Sequence, residues 1–204
     1  MLPEPPRRPQ PGPFYLHHVP EFWNAALSGV TLPPFRFDLE VTITRDGGIA
    51  HQFTVSVKSV HVAVREGPAD DALARITFDI ETFRVATRDL WPRAAQRIQA
   101  RLRQARQRIE RALRGVEPSA FLAGIGRLSG TLDVRYTDQA GDQTTTNVVI
   151  GSGDGRHARV QATDADLTLF LEGRSHLTQL LNSRATVVGD AGWVLRLLKH
   201  LSPT

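Results

Sequence analysis

The sequence predicts an α+β protein in which an antiparallel or mixed β-sheet meander is packed by helices. Apolar and polar residues alternate with a period of two in residues 35–80 and 132–162, which is typical of strands with one buried face. Between them, residues 91–116 place apolar side chains at spacings of four and three, which predicts a long amphipathic helix. A chain of 204 residues that is 41% hydrophobic can form a sizeable core.

The N-terminal region begins with a segment that is rich in proline. Six of the first 13 residues are proline. Because proline lacks a backbone N–H and interrupts both helices and sheets, we expect residues 1–13 to form a disordered tail outside the fold. A short helix is predicted over residues 20–27, and Gly29 followed by Pro33 ends it.

The first alternating stretch predicts three strands. The first covers residues 35–44, and the glycines after Asp46 supply a tight turn. Residues 53–64 read as one long returning strand with a bulge or a bend at Ser59, where the alternation changes phase. A third strand is predicted over residues 76–80. We expect these strands to form an antiparallel meander.

The predicted long helix carries most of the positive charge. The whole chain has a formal net charge of +4. Residues 90–114 alone contain eight arginines and one acidic residue, Glu110, for a local net charge of +7. The arginines are Arg93, Arg97, Arg101, Arg103, Arg106, Arg108, Arg111 and Arg114. Residues 14–117 are therefore predicted to combine a β-meander with one long basic helix.

Three interpretations of this basic helix stay open. Its polar face is a solvated surface, or it docks on anionic lipid with Trp91 at the interface, or it forms a seam with a partner protein or a second copy. For the second and third interpretations, the candidate contact residues are Arg93, Arg97, Arg101, Arg108 and Arg111. We expect no nucleic acid partner, because no recognition motif or interleaved aromatic residues accompany the arginines.

The C-terminal region, residues 118–204, begins with a short helix over residues 120–125 and then repeats the alternation. Its predicted strands cover residues 132–136, 144–150 and 158–162. Thr163 and Asp166 have the spacing of a capping box and predict the start of a helix. Further helices, a strand over residues 185–188 and a leucine-rich terminal helix complete the chain.

The two alternating stretches resemble one another. Residues 39–44 parallel residues 132–137, and residues 74–76 parallel residues 158–160. In both stretches a third strand passes directly into a helix. An internal duplication is one explanation, and the common pattern of alternating strands is the other.

The C-terminal region also resembles a known family. The most telling segments are residues 162–167, 171–173, 177–182, 185–190 and 194–198. In order, they read as a strand with an acidic helix start, a helix end with an L-x-G pattern, a second helix, a strand with a Gly-Asp turn, and a leucine-rich terminal helix. This order, over about 85 residues, is similar to that of the sterol carrier protein family of lipid-binding domains.

The resemblance implies a sheet backed by helices around an apolar tunnel. Such a tunnel would hold a sterol, fatty acyl chain, phospholipid or isoprenoid, with no cofactor and no catalysis. Its wall would be formed by Leu167, Leu171, Leu177, Leu180, Val187, Trp193, Val194 and Leu198. The terminal helix around Trp193 would then open and close the tunnel. Plain core packing is the alternative role for each of these side chains.

Composition excludes much of enzyme chemistry. The chain has no cysteine, so it has no thiolate nucleophile and no cysteine-ligated metal. Its seven histidines are scattered and form no metal-binding or catalytic motif. With no signal peptide or membrane span in the sequence, we expect a cytoplasmic protein that reaches membranes only peripherally. The competing hypothesis is a scaffold or accessory subunit in lipid or isoprenoid-quinone biosynthesis.

Overall fold

The computed structural model confirms the α+β class: a mixed β-sheet is packed by helices. The residues that it describes are 2–4, 6, 8–31, 34–100, 102, 104, 106–107, 118–138, 140–166 and 185–201.

The helices and strands of the described residues follow the chain in this order. The N-terminal region contains α1 (Pro11–Pro13), a π-helical turn (Phe14–His18), α2 (Val19–Leu27), β1 (Arg36–Arg45), β2 (Gly48–Lys58), β3 (His61–Glu66), β4 (Ala72–Asp79), α3 (Ile80–Val85), a second π-helical turn (Ala86–Leu90) and α4 (Trp91–Ala100). The C-terminal region contains α5 (Pro118–Arg127), β5 (Gly130–Thr137), β6 (Gln143–Ile150), β7 (His157–Thr163), β8 (Thr186–Gly189) and α6 (Ala191–Leu201).

The described strands form one sheet of eight in the order β3-β2-β1-β4-β6-β5-β7-β8. β1 pairs with β4 in parallel, β5 pairs with β7 in parallel, and the other neighbours are antiparallel. The antiparallel pair β4–β6 joins the N-terminal and C-terminal regions. The sheet therefore continues across the boundary that the sequence predicted at residue 118.

The N-terminal segment differs from the expected tail. Pro11 is buried and begins a helical segment that continues through α2. Leu2 is also buried, in a cluster with Phe22, Ala26 and Ala95. The physical reason is that proline is well tolerated in the first turn of a helix, where its missing N–H has no partner to lose. The prediction of a disordered tail over residues 1–13 is corrected at these positions.

The first meander differs from its prediction in two respects. The long strand over residues 53–64 is two antiparallel strands, β2 and β3, because Ser59 takes a positive φ of 50° and turns the chain. β4 then pairs in parallel with β1. The segment between β3 and β4 crosses over β2 and β1. Thr54 of β2 donates to the carbonyl of Gly67 at 2.9 Å, and the amide of Ala69 donates to Glu40 of β1 at 3.0 Å.

The two regions repeat one arrangement of strands. In each, the first strand of an antiparallel hairpin also pairs in parallel with a later strand, as β2-β1-β4 and β6-β5-β7; in the N-terminal region β3 comes between the hairpin and that strand. The register agrees, because Leu39 lies opposite Ala74 and Leu132 lies opposite Ala158. The sequence similarity aligns these same positions, Leu39 with Leu132 and Ala74 with Ala158. This repeated topology is what an internal duplication predicts.

A charged pair occupies the same place in both repeats. Glu40 on β1 lies opposite Arg75 on β4, with Oε2 and Nε separated by 3.9 Å. Asp133 on β5 lies opposite Arg159 on β7, with Oδ2 and Nη2 separated by 3.5 Å. Hydrogen bonds from Asn147, His157 and Arg159 lower the pKa of Asp133. Each pair links the two parallel strands on the polar face of the sheet.

The opposite face of the sheet carries the core. Side chains of the C-terminal cluster are Ile125, Ile150, Ala158, Val160, Trp193, Val194 and Leu197. Leu73 and Ala74 of β4 pack against this cluster from the N-terminal region. The hydrophobic core therefore continues across the β4–β6 seam, as the sheet does.

The start of the helix after β7 confirms the predicted capping box. The amide of Thr163 donates to Asp166 Oδ2 at 3.1 Å, and the amide of Asp166 donates to Thr163 Oγ1 at 3.3 Å. These reciprocal bonds satisfy amides that have no partner within the helix. The predicted helices over residues 167–182 lie outside the described residues.

The basic helix is described in part. α4 covers Trp91–Ala100, and the described residues at 102, 104, 106 and 107 are also helical. The remainder of its predicted course to residue 116 lies outside the described residues. Across the part of the chain that the structure describes, no helix has both the length and the apolar character needed to cross a bilayer.

Candidate functional site

A pocket of about 400 Å³ opens where the two regions meet. Its walls come from the beginning of β1, the beginning of β4 and the middle of α5. The lining residues are Arg36, Phe37, Asp38, Asp71, Leu73 and Leu122. Three of them are apolar and three are charged, which is the mixture that small-molecule sites use for binding and for orientation.

A β-bulge places one wall of the pocket. Asp38 pairs with Ala72, but the next residue, Leu39, pairs with Ala74. Leu73 is therefore an extra residue on β4, and its carbonyl accepts a hydrogen bond from the amide of Gly151 at 3.2 Å. Bulges redirect side chains, and they are frequent beside binding sites. Here the bulged residue lines the pocket.

The charged side of the pocket is only partly neutralised. Arg36 Nη2 lies 3.9 Å from Asp38 Oδ2, and the Arg36 side chain is 65% exposed. Asp38 Oδ1 is buried and has no hydrogen-bond partner. Asp71 is exposed at the edge. The pocket therefore combines an apolar wall with charged side chains whose closest ion pair, between Arg36 and Asp38, is long at 3.9 Å.

This pocket was not predicted from the sequence. Phe37 and Leu73 lie in predicted strand or turn segments, and Leu122 lies in a predicted short helix. None of these positions carries a motif, and the bulge at Leu73 leaves no mark in the alternation. Only the pairing of β1 with β4 and the contact of α5 with β4 bring the residues together.

Three of the predicted tunnel residues lie in or against the C-terminal cluster. Trp193 and Val194 are buried in the C-terminal cluster, and Val187 packs against it. Leu198 lies on α6. Leu167, Leu171, Leu177 and Leu180 lie outside the described residues.

Two described arginines of the basic helix contact other parts of the chain. Arg93 Nη1 lies 2.8 Å from Oδ1 of Asp164, which is itself buried. Arg106 donates to the carbonyls of Ala26 at 2.9 Å and Ala25 at 3.0 Å, at the end of α2. These contacts fix the helix against both regions. Arg97 also has a partner, and the predicted contact residues Arg101, Arg108 and Arg111 lie outside the described residues.

Trp91 is partly buried and packs against aromatic side chains of the N-terminal region. Its Nε1 donates to Nε2 of His18 at 3.0 Å, and its ring has edge-to-face contacts with Phe14 and Phe22. His18 is buried. The hydrogen bond requires a neutral His18 with its proton on Nδ1. These contacts hold the Trp91 ring against the N-terminal region, whereas the membrane interpretation predicts it at a lipid interface.

Stability should depend on pH through His18. Burial lowers the pKa of His18, against an opposing effect of Glu21. The unfolded state, with an imidazole pKa near about 6.5, therefore takes up a proton before the folded state does. We expect the contribution of His18 to be complete above about pH 6.5 and to decrease as the pH falls toward its folded-state pKa.

Urea unfolding followed by circular dichroism from neutral to mildly acidic pH measures this effect. His18→Gln should flatten the slope of unfolding free energy against pH, whereas His17→Gln, at the exposed neighbouring residue, should preserve it. An unchanged slope in the His18 variant contradicts the assignment.

The described residues provide little for metal chemistry. Within them, no three histidine, aspartate or glutamate side chains converge as a metal site would require. His157 contacts Asp133 on the polar face at 3.0 Å, and His200 bonds to the carbonyl of Phe121 at 3.0 Å. Each of these two histidines has a structural contact.

The chain matches no protein-family model and no curated protein sequence. The sterol carrier resemblance of the C-terminal region therefore remains a prediction from the order of its sequence patterns.

Proposed function

We propose that this protein is a non-enzymatic binding protein for a hydrophobic or amphipathic small molecule, such as a lipid. The observation that supports the proposal best is the pocket between β1, β4 and α5. Its volume of about 400 Å³ lies within the range of about 300–1000 Å³ that is usual for small-molecule sites. Its apolar wall would remove a ligand's hydrocarbon surface from water at about 25 cal/mol per Å².

The location of the pocket suggests how binding would act on the protein. Leu73 belongs to the N-terminal region and Leu122 to the C-terminal region, and both line the pocket. A ligand would therefore contact both sides of the β4–β6 seam. Since a ligand that binds only the folded state stabilises it, melting temperature should rise with ligand concentration.

Filling the pocket should weaken binding. Leu122→Trp adds bulk to the wall formed by α5, and we expect uptake of a fluorescent fatty acyl or sterol probe to fall by about tenfold or more, because a methylene-sized clash costs on the order of 1–3 kcal/mol. Leu195→Trp is the matched control, because Leu195 is 43% exposed on α6 and does not line the pocket. Equal probe uptake by both variants contradicts this location for the site.

The identity of a natural ligand is best sought by native mass spectrometry with organic extraction of the purified protein. A bound lipid of defined mass supports the proposal. An empty protein that also takes up no fluorescent fatty acid or sterol contradicts it and favours the scaffold hypothesis.

Membrane docking through the basic helix is the second part of the proposal. Its support is the local net charge of +7 over residues 90–114, since each arginine near an anionic surface contributes about 1 kcal/mol. The triple variant R97E/R101E/R108E should lose binding to phosphatidylglycerol-containing vesicles and keep its circular dichroism spectrum. The control R127E/R156E/R196E reverses three exposed arginines elsewhere. Equal binding by both variants contradicts docking through this helix.

A further inference from the structure

We propose that residues 2–10 form a reversible strap whose Leu2 side chain covers an apolar site between α2 and α4, and that release of this strap strengthens docking of the basic helix on an anionic membrane. This inference rests on the membrane-docking part of the proposed function, because it states how docking by the same helix is regulated.

Leu2 is the anchor of the strap. It is 3% exposed and lies in one cluster with Phe22 and Ala26 of α2 and Ala95 of α4. These three side chains define the apolar site. The strap then runs along the surface to Pro11, where the helical segment begins. Its exposed residues are Glu4, Pro6, Arg8 and Gln10.

Within the described part of the strap, no hydrogen bond or ion pair reinforces this anchor. Residues 2–4, 6, 8 and 9 form none with the rest of the chain. Four of residues 2–10 are proline, which has no backbone N–H to donate. The strap is therefore held mainly by the burial of one leucine side chain, and it can open without breaking a strand or a helix.

The site beneath the strap borders the basic helix. Ile98 and Leu102 pack against the same cluster and are partly buried. In the sequence, each directly follows an arginine, Arg97 or Arg101. A helix that lies on an anionic membrane needs an accessible apolar side as well as basic side chains. Because Leu2 occupies part of that apolar side, the closed strap competes with the membrane for it.

The charge of the helix indicates what replaces Leu2 at the site. Residues 90–114 carry a local net charge of +7, which attracts an anionic head group. The acyl chain of the same lipid is as apolar as a leucine side chain and is driven to the site by the burial of its surface. An acyl chain of an anionic lipid therefore matches both the apolar site and the charge beside it.

Opening of the strap can be measured as a distance. The chain has no cysteine, so Glu4→Cys on the strap and Gln99→Cys on α4, both at exposed positions, carry a pair of spin labels on the full-length protein. Pulsed electron paramagnetic resonance should give one predominant distance in solution. Vesicles that contain phosphatidylglycerol should produce a longer and broader distribution, and vesicles of phosphatidylcholine alone should not.

A variant of the anchor tests the cause. Leu2→Ser should give the broad distribution without vesicles. It should also bind phosphatidylglycerol-containing vesicles at least about fivefold more tightly than the wild type, because apparent affinity rises with the fraction of binding-competent molecules. Leu195→Ser makes the same change at a side chain that is 43% exposed on α6 and should leave distance and affinity unchanged. Circular dichroism checks that both variants are folded, and the wild-type distances test the strap without either variant.

The outcomes separate the strap from membrane docking itself. If neither the wild type nor Leu2→Ser binds anionic vesicles, docking is contradicted and the strap inference falls with it. If the wild type binds but keeps its closed distance, or if Leu2→Ser binds no more tightly, docking stands and the strap is overturned. A Leu2→Ser protein that keeps the closed distance in solution also overturns it, because another contact then holds the segment.

Discussion

Replacement of Trp193 by alanine is expected to lower the free energy of unfolding by about 3–5 kcal/mol, the usual cost of truncating a large buried aromatic side chain. Trp193 is fully buried in the C-terminal cluster. Its Nε1 donates to the carbonyl of Leu128 at 2.6 Å, and a Cβ added at Gly130 would lie 2.6 Å from its ring. The variant loses both the packing and the hydrogen bond, so urea unfolding followed by circular dichroism should show a large decrease in stability.

The matched control for Trp193 lies on the same helix. Leu195 is 43% exposed, and Leu195→Ala should change the unfolding free energy by no more than about 0.5 kcal/mol. The comparison also bears on the hypothesis that α6 opens and closes a tunnel. A loss below about 1 kcal/mol in Trp193→Ala contradicts the close packing of α6 and favours a helix that opens readily.

Replacement of Asp164 by alanine is expected to lower the free energy of unfolding by about 2–3 kcal/mol, because it leaves a buried hydrogen-bonding group without its partner. Asp164 Oδ1 accepts a hydrogen bond from Tyr136 Oη at 2.7 Å and lies 2.8 Å from Arg93 Nη1. Burial and the hydrogen bond to Asp164 raise the pKa of Tyr136, so its hydroxyl stays protonated and donates. Without Asp164, the buried hydroxyl loses its acceptor. Arg93 is 35% exposed and recovers part of its hydration, which limits the cost.

A double-mutant cycle tests the role of this carboxylate. If Asp164 acts through Tyr136, then the effects of Asp164→Ala and Tyr136→Phe on the unfolding free energy should be strongly non-additive. Asp154→Ala, in an exposed loop, serves as the control and should have little effect. Additive effects of the Asp164 and Tyr136 variants contradict the coupling, whatever the size of each single change.

The strands were predictable because burial leaves a periodic pattern. The alternation over residues 35–44 and 132–136 corresponds to β1 and β5, and the capping box at Thr163 marked a helix start that the structure contains. Each of these signals acts over a few residues, so the local sequence carries it completely. The change of phase at Ser59 was also visible in the sequence, but its structural cause, a turn between two strands, was not. A bulge and a turn between two strands produce the same break in alternation.

The pairing partners of the strands depended on distant parts of the chain. β4 shows the same alternation whether it pairs with β3 in a meander or with β1 in parallel. The partner of β4 is decided by residues 67–70, which cross over the sheet. That crossing depends on contacts between residues far apart in sequence, such as the hydrogen bond from Ala69 to Glu40. Likewise, the unexpected burial of Leu2 requires α2 and α4 to lie beside it.

The arginines illustrate the same limit for function. The sequence located the basic segment, because charge can be counted along the chain. It could not show that Arg93 meets Asp164 or that Arg106 binds the carbonyls at the end of α2. An arginine in solvent and an arginine in an ion pair have the same sequence signature.

The sequence by itself determined the α+β class, most of the strand positions and the apolar faces, because these follow from periodicities of two and about 3.6 residues. The tertiary structure alone decided the parallel pairs, the continuous sheet across the β4–β6 seam and the pocket. Leu73 and Leu122 become neighbours of one cavity only after the two regions join. The physical reason is that secondary structure is governed by local burial patterns, whereas a binding site is formed by residues that only long-range packing brings together.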